Sequence, residues 1–126
     1  MTHRAIDSGR IYIHMEGPEV FKAAVRHMDA TTLKTLEKAG LKKEDINMFI
    51  AHQANNRIIQ DIAKRLGLPA DRMWVNVNRF GNTSAASVGI ALDEVVRAGK
   101  VHHGDIVVLT GFGAGLTWGC DVMRWM

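Results

Sequence analysis

"INMFIAHQANNRIIQDIAKRLG", residues 46–67, decides the fold. With Asp45 ahead of it, the run 46–52 is nearly all apolar, which predicts a strand buried on both faces. The period then changes over 54–67. Ile58, Ile59, Ile62 and Leu66 fall on one side of a helix, Lys64 and Arg65 suit the dipole at its C-terminal end, and Gly67 closes it. A buried strand that hands directly to an amphipathic helix is the unit of a parallel α/β sheet. Between strand and helix lie His52, Gln53, Asn55 and Asn56, poor core fillers and good hydrogen-bonding groups. The stretch from Gln53 to Asn56 is suited to capping the helix, but capping does not account for His52.

The same alternation continues on both sides. "RIYIHM" (10–15) reads as a strand by its isoleucine alternation. Residues 17–40 read as a long helix, with Pro18 in its first turn, Gly40 at its end and an apolar stripe from Val20 to Leu36. "MWVNV" (73–77) reads as a short strand. "NTSAASVGIALDEVVRAG" (82–99) reads as a helix that Thr83 or Ser84 can cap. Its first half is Ser, Ala and Gly with no charge before Asp93, the composition of a helix packed closely on more than one neighbour. Residues 105–112 and 116–125 read as two strands joined by the turn "GFGAG" (111–115). The expected order is β-α-β-α-β-α-β-β, a five-stranded mixed sheet with helices on both faces.

Composition narrows the function classes. The chain's 126 residues fit one domain, taken as 1–126 with 1–8 as a poorly ordered leader. No apolar run is long enough for a membrane span, and "MTHRAIDSGR" has no apolar stretch of a signal peptide, so no membrane role is expected. One cysteine excludes an internal disulfide, and together these features point to the cytoplasm. The net charge of +3 is too small to imply nucleic acid, and it suits an acidic protein partner.

In a sheet of this kind, function gathers where strands end and helices begin. Three spots lie there: His52, Asn82 in "RFGNTSAAS", and the "GFGAG" turn. The glycines at 111, 113 and 115 do not match a dinucleotide loop, because strand-like sequence follows them instead of a helix. They suit either a tight strand connection or a backbone that faces a ligand closely. No histidine or acid pair has zinc spacing, so no metal is expected. No G-x-S-x-G is present, and Cys120 lies mid-strand as a packing residue. His52 taken alone reads as structural. Paired with Asn82 it gains a function, because an imidazole N–H and an amide N–H₂ converging on one point form a two-donor oxyanion hole.

"MEGPEVFKAAV", "HQANNRII", "NRFGNTSAASVGIALDEVVRAGK" and "GFGAGLTWGCDVMRW" resemble, in order and spacing, the C-terminal half of β-ketoacyl-acyl carrier protein synthase III, a condensing enzyme of the thiolase-fold superfamily. The resemblance runs from about residue 9 to the end. It implies one thiolase-like half of a five-layer enzyme, with the 82–99 helix in the central layer and a homodimer as the assembly. It implies condensation of a short acyl-CoA with malonyl-acyl carrier protein in type II fatty-acid synthesis, with these thioesters as substrates and no cofactor. In the family's Cys-His-Asn triad, His52 and Asn82 match the histidine and asparagine, which stabilise an enolate. Neutral His52 then needs its proton on Nε2 and a donor to Nδ1 that the sequence does not reveal. Gly113 and Ala114 match the loop that lends a backbone N–H to the acyl-transfer oxyanion, and Phe112 matches a pocket-side aromatic. Asn55 matches a polar position near the pantetheine arm. Lys22, Arg57, Lys64 and Arg65 match a basic patch that receives the carrier protein. Ala114 stands where the family often has glycine, and Gly89 where proline is common. The matching nucleophile belongs to the N-terminal half, so this chain by itself is expected to be inactive, and its uncovered central helix is expected to drive association. The alternatives are a non-catalytic thiolase-like module that binds carrier protein or CoA, and a related secondary-metabolite ketosynthase.

Overall fold

The computed structural model describes residues 6–8, 12 and 15–126. Helix α1 spans Gly17–Lys38, with Pro18 in its first turn and Ala24, Val25, Met28, Thr32 and Leu36 on its buried stripe. Strand β1 is Ile46–Ala51 and is followed by α2, Asn56–Leu66. A short helix α3, Val77–Phe80, precedes α4, Ala86–Arg97. Strands β2, Ile106–Gly113, and β3, Thr117–Arg124, complete the described elements.

The sheet has the order β1-β2-β3, with β1 parallel to β2 and β2 antiparallel to β3. The apolar run at 46–51 serves two cores, as its composition predicts. Ile46, Phe49 and Ala51 pack with α1 and α2, whereas Met48 and Ile50 pack with Ala91 and Val95 of α4. Its one polar residue, Asn47, sits where the pairing register shifts, and its Oδ1 accepts the Ile106 N–H at 2.8 Å. Helices therefore cover both faces, which fixes the α/β class.

Two expectations change. Three strands are described where five were expected. The segment 10–15, apart from Tyr12 and Met15, lies outside the described residues, as does most of the 1–8 leader. The segment 73–77 is not a strand: Met73 makes one parallel bridge to Phe49, and the chain then turns into α3. The reason is local. The Oε1 of Gln53 accepts the N–H groups of Asn76 and Val77, at 2.8 and 3.2 Å, which removes them from any ladder.

Capping also differs from expectation. Asn55 caps α2, its Oδ1 accepting the Arg57 N–H at 2.8 Å. Gln53 is fully buried and caps nothing on α2. Among the described residues no side chain caps α4, so neither Thr83 nor Ser84 plays that part. Replacing Asn55 by alanine should cost about 1 kcal/mol in urea-denaturation stability. A change below a few tenths would contradict the cap.

Candidate active site

His52 follows β1 directly, and its N–H donates to the Thr110 carbonyl of β2 at 2.8 Å, extending the ladder by one residue. The Ala54 N–H then donates to the His52 carbonyl at 2.9 Å, which turns the chain sharply toward α2. The imidazole is thus set at the C-terminal end of a parallel pair, half-buried beside the N-terminal end of α4.

The donor that the sequence left open is Ser87. Its Oγ lies 2.6 Å from His52 Nδ1 and also accepts the Gln53 N–H at 3.2 Å. With the Gln53 amide donating into one lone pair of the oxygen, the hydroxyl proton is available to Nδ1. In the tautomer this suits, Nδ1 accepts and the neutral ring carries its proton on Nε2. Burial holds the His52 pKa below the ordinary imidazole value, so the neutral form dominates at pH 7. The sign follows. The unfolded chain takes up a proton more readily than the folded one, so this group's stabilisation is complete above the ordinary imidazole pKa and is lost as pH falls below it.

Asn82 is oriented by a different device. Its Oδ1 accepts the Ser84 N–H at 3.0 Å, an Asx-type turn that holds Ser84 at φ 53. The carbonyl end of the amide is occupied, and among the described residues no acceptor is bonded to Nδ2. The N–H₂ end is therefore the free end of the group.

His52 and Asn82 line one cavity of about 470 Å³, together with Phe112 and Gly113 at the end of β2 and Ala114 of the β2–β3 turn. A groove of about 480 Å³ continues from the same five residues past Ala54 and Ile58 to Met15, Val20 and Leu116. The turn is built to lie close. Gly115 has φ 146, and a Cβ there would stand 2.8 Å from Thr117 Cγ2, so any other residue would be strained. The glycines belong to a strand connection that also walls the cavity.

The remaining expected site residues are placed elsewhere. Asn55 is exposed at its cap and lines neither the cavity nor the groove, whereas its neighbour Ala54 lines the groove. Lys22 is exposed and pairs with Glu19 at 2.9 Å. Arg57, Lys64 and Arg65 are exposed along α2. Cys120 is half-buried in β3, burial pushes its thiol pKa up, and it does not line the cavity, which agrees with a packing role. Among the described residues no group of histidine, cysteine or acid side chains is arranged to hold a metal ion.

Sequence reasoning missed Ser87 and the role of Gln53. A signal for Ser87 existed. Ser87, Ala91 and Val95 recur every four residues as the buried stripe of α4, and a hydroxyl on such a stripe needs a partner. Replacing Ser87 by alanine should turn a single Nε2–H tautomer of His52 into a mixture, read by long-range ¹H–¹⁵N NMR of the imidazole. An Nδ1–H tautomer in the unmodified chain would contradict the assignment.

Known proteins share both the sequence pattern and the fold. The family model of the 3-oxoacyl-[acyl-carrier-protein (ACP)] synthase III C-terminal domain matches residues 36–125. The chain belongs to this family. The synthase III of Caldanaerobacter subterraneus is 51% identical over 124 residues, covering 98% of this chain and 38% of that protein. The crystal structure of the Thermus thermophilus synthase III is 56% identical, with a TM-score of 0.87 over 90% of this chain and 35% of the other. The priming β-ketosynthase of the R1128 polyketide pathway is 40% identical, with a TM-score of 0.84 over 89% of this chain and 34% of the other. The chain thus spans between 34% and 38% of the length of these relatives. No described helix is long and apolar enough to cross a membrane.

Proposed function

We propose that this chain supplies the enolate-stabilising part of a decarboxylative condensing enzyme of the synthase III type. One observation carries the reading: His52 and Asn82 line the same cavity, with His52 Nδ1 against Ser87 Oγ and Asn82 Oδ1 accepting from Ser84, so that His52 Nε2 and Asn82 Nδ2 are the ends left to the cavity. In the reaction, the bond between the malonyl α-carbon and its carboxylate breaks and CO₂ leaves. The electron pair becomes an enolate whose charge gathers on the thioester oxygen. Nε2–H of His52 and Nδ2–H of Asn82 donate to that oxygen. The α-carbon then attacks an acyl thioester on the nucleophile, expelling its thiolate and forming the β-ketoacyl product. Preoriented donors favour this charge because they need no reorganisation as it develops.

The names of the relatives suggest acyl carrier protein as the carrier, and the family resemblance adds an acyl-CoA as primer. Exposed Arg57, Lys64, Arg65 and Lys22 suit an acidic carrier. The uncovered residues Ala86 and Gly89 on α4 suit close packing against a second thiolase-like half, which in this reading carries the nucleophilic cysteine. A homodimer and a cytoplasmic location belong to the same reading. A polyketide-priming role is the second reading, favoured by the 40% identity to the R1128 enzyme.

The test is a chimera in which residues 15–126 replace the matching segment of the Thermus thermophilus enzyme. Condensation of acetyl-CoA with malonyl-acyl carrier protein is the expected result. A folded chimera with no condensation would favour a non-catalytic module that binds carrier protein or CoA.

A further inference from the structure

Gln53 follows His52 directly, yet it points away from the cavity and is fully buried. Its side-chain amide is saturated. Nε2 donates to the carbonyls of Ala51 at 2.8 Å and Trp74 at 3.2 Å, and Oε1 accepts from Asn76 and Val77. Two protons and two lone pairs are all used. Its backbone N–H goes to Ser87 Oγ, the oxygen that also meets the His52 ring. One residue thus touches the end of β1, the segment that leads into Asn82, and α4.

A second anchor holds the same segment from α4. Glu94 Oε2 accepts the Trp74 indole N–H at 3.1 Å and the Asn76 amide at 2.7 Å, and Oε1 pairs with Arg79 at 2.7 Å. Residues 74–79 are therefore fixed from both sides immediately before the chain reaches Asn82. A chain that leaves the sheet at Met73 has no ladder to hold it, and these side chains take the place of one.

We propose that Gln53 is a positioning residue that sets the separation of the two enolate donors, with Glu94 as its second anchor. The proposal rests on the condensing-enzyme reading for its kinetic consequence and on geometry alone for its structural one. A side chain that bridges the two donor segments fixes where the donors converge, and convergence is what an oxyanion requires. A displacement of about 1 Å in such a site can cost on the order of a hundredfold in rate.

Gln53→Met keeps the length of the side chain and removes all four hydrogen bonds. Glu94→Gln keeps its size and removes the charge that three donors share. Each is made in the 126-residue chain and in the Thermus thermophilus chimera. In the chain, NMR should show the Asn82 side-chain amide and the Ser84 N–H displaced and less protected from exchange, while the β2–β3 amides stay unchanged. In the chimera, condensation kcat should fall roughly 10- to 100-fold for Gln53→Met, with the KM for malonyl-acyl carrier protein little changed. If Gln53→Met does not fold, Glu94→Gln decides alone, with displaced Asn82 and Ser84 resonances supporting the proposal. Folded variants with unmoved Asn82 and Ser84 resonances and unchanged kcat would overturn it. If the resonances move but His52→Ala also leaves condensation unaffected, the positioning role stands and the condensing-enzyme reading fails.

Discussion

His52→Ala in the chimera should lower the rate of condensation by roughly two to three decades, the cost of about 3 kcal/mol for one oxyanion donor. Asn82→Ala should do the same, and the double variant should lose less than the sum, because the two donors serve one oxygen. The prediction follows from the direction of the bonds. The Nδ1 of His52 meets Ser87 and the Oδ1 of Asn82 accepts from Ser84, so in the Nε2–H tautomer of His52 each residue still offers the cavity an N–H. Asn82→Asp sharpens the test. It keeps an acceptor for Ser84 and replaces the donor with a carboxylate oxygen that repels the enolate. It should be at least as damaging as alanine, although it preserves the local turn. An Asn82→Asp variant as active as the unmodified enzyme would exclude Asn82 as a donor.

The second large effect concerns stability. Phe49 is fully buried at the meeting of β1, α1 and α2, and its carbonyl accepts the Trp74 N–H at 3.1 Å. Truncating such a side chain to alanine removes its transfer free energy and leaves a cavity that a helix-backed sheet closes poorly, at about 3–5 kcal/mol. Domains of this size are stable by only about 5–15 kcal/mol, so Phe49→Ala should remove a large share of the total in a denaturant titration. Leu33, 44% exposed on α1, is the control, and Leu33→Ala should stay within about 0.5 kcal/mol. A Phe49→Ala cost below about 1 kcal/mol would contradict this core. Position also ties this effect to function, because Phe49 lies three residues before His52 on the strand that delivers it.

What the sequence revealed follows from the kind of signal involved. The strand at 46–51 and the helix after it were legible because the change from continuous burial to one-sided burial is a property of consecutive residues. His52 and Asn82 were legible as a pair because both stand at element boundaries, with motifs around them. Residues 73–77 misled, since "MWVNV" has strand composition, and what breaks the strand is an amide more than twenty positions earlier. Gln53 was misread for the same reason. A glutamine after a strand looks like a cap until its partners are known, and those partners are backbone groups that no side-chain pattern announces. Ser87 was hidden among the small residues of "NTSAAS", which were read together as a sign of close packing. Asn55 was assigned to a ligand, but its oxygen holds the start of α2, an ordinary use of asparagine at that position.

In the proposed function, His52 and Asn82 act on the enolate and not on acyl transfer. One comparison separates these steps in the chimera: the decarboxylation rate of malonyl-acyl carrier protein, measured beside the rate of acyl transfer from acetyl-CoA to the nucleophile. The account predicts that His52→Ala and Asn82→Ala each lose decarboxylation by roughly two to three decades while acyl transfer falls much less. Equal losses in both steps, or decarboxylation unchanged in either variant, would contradict it.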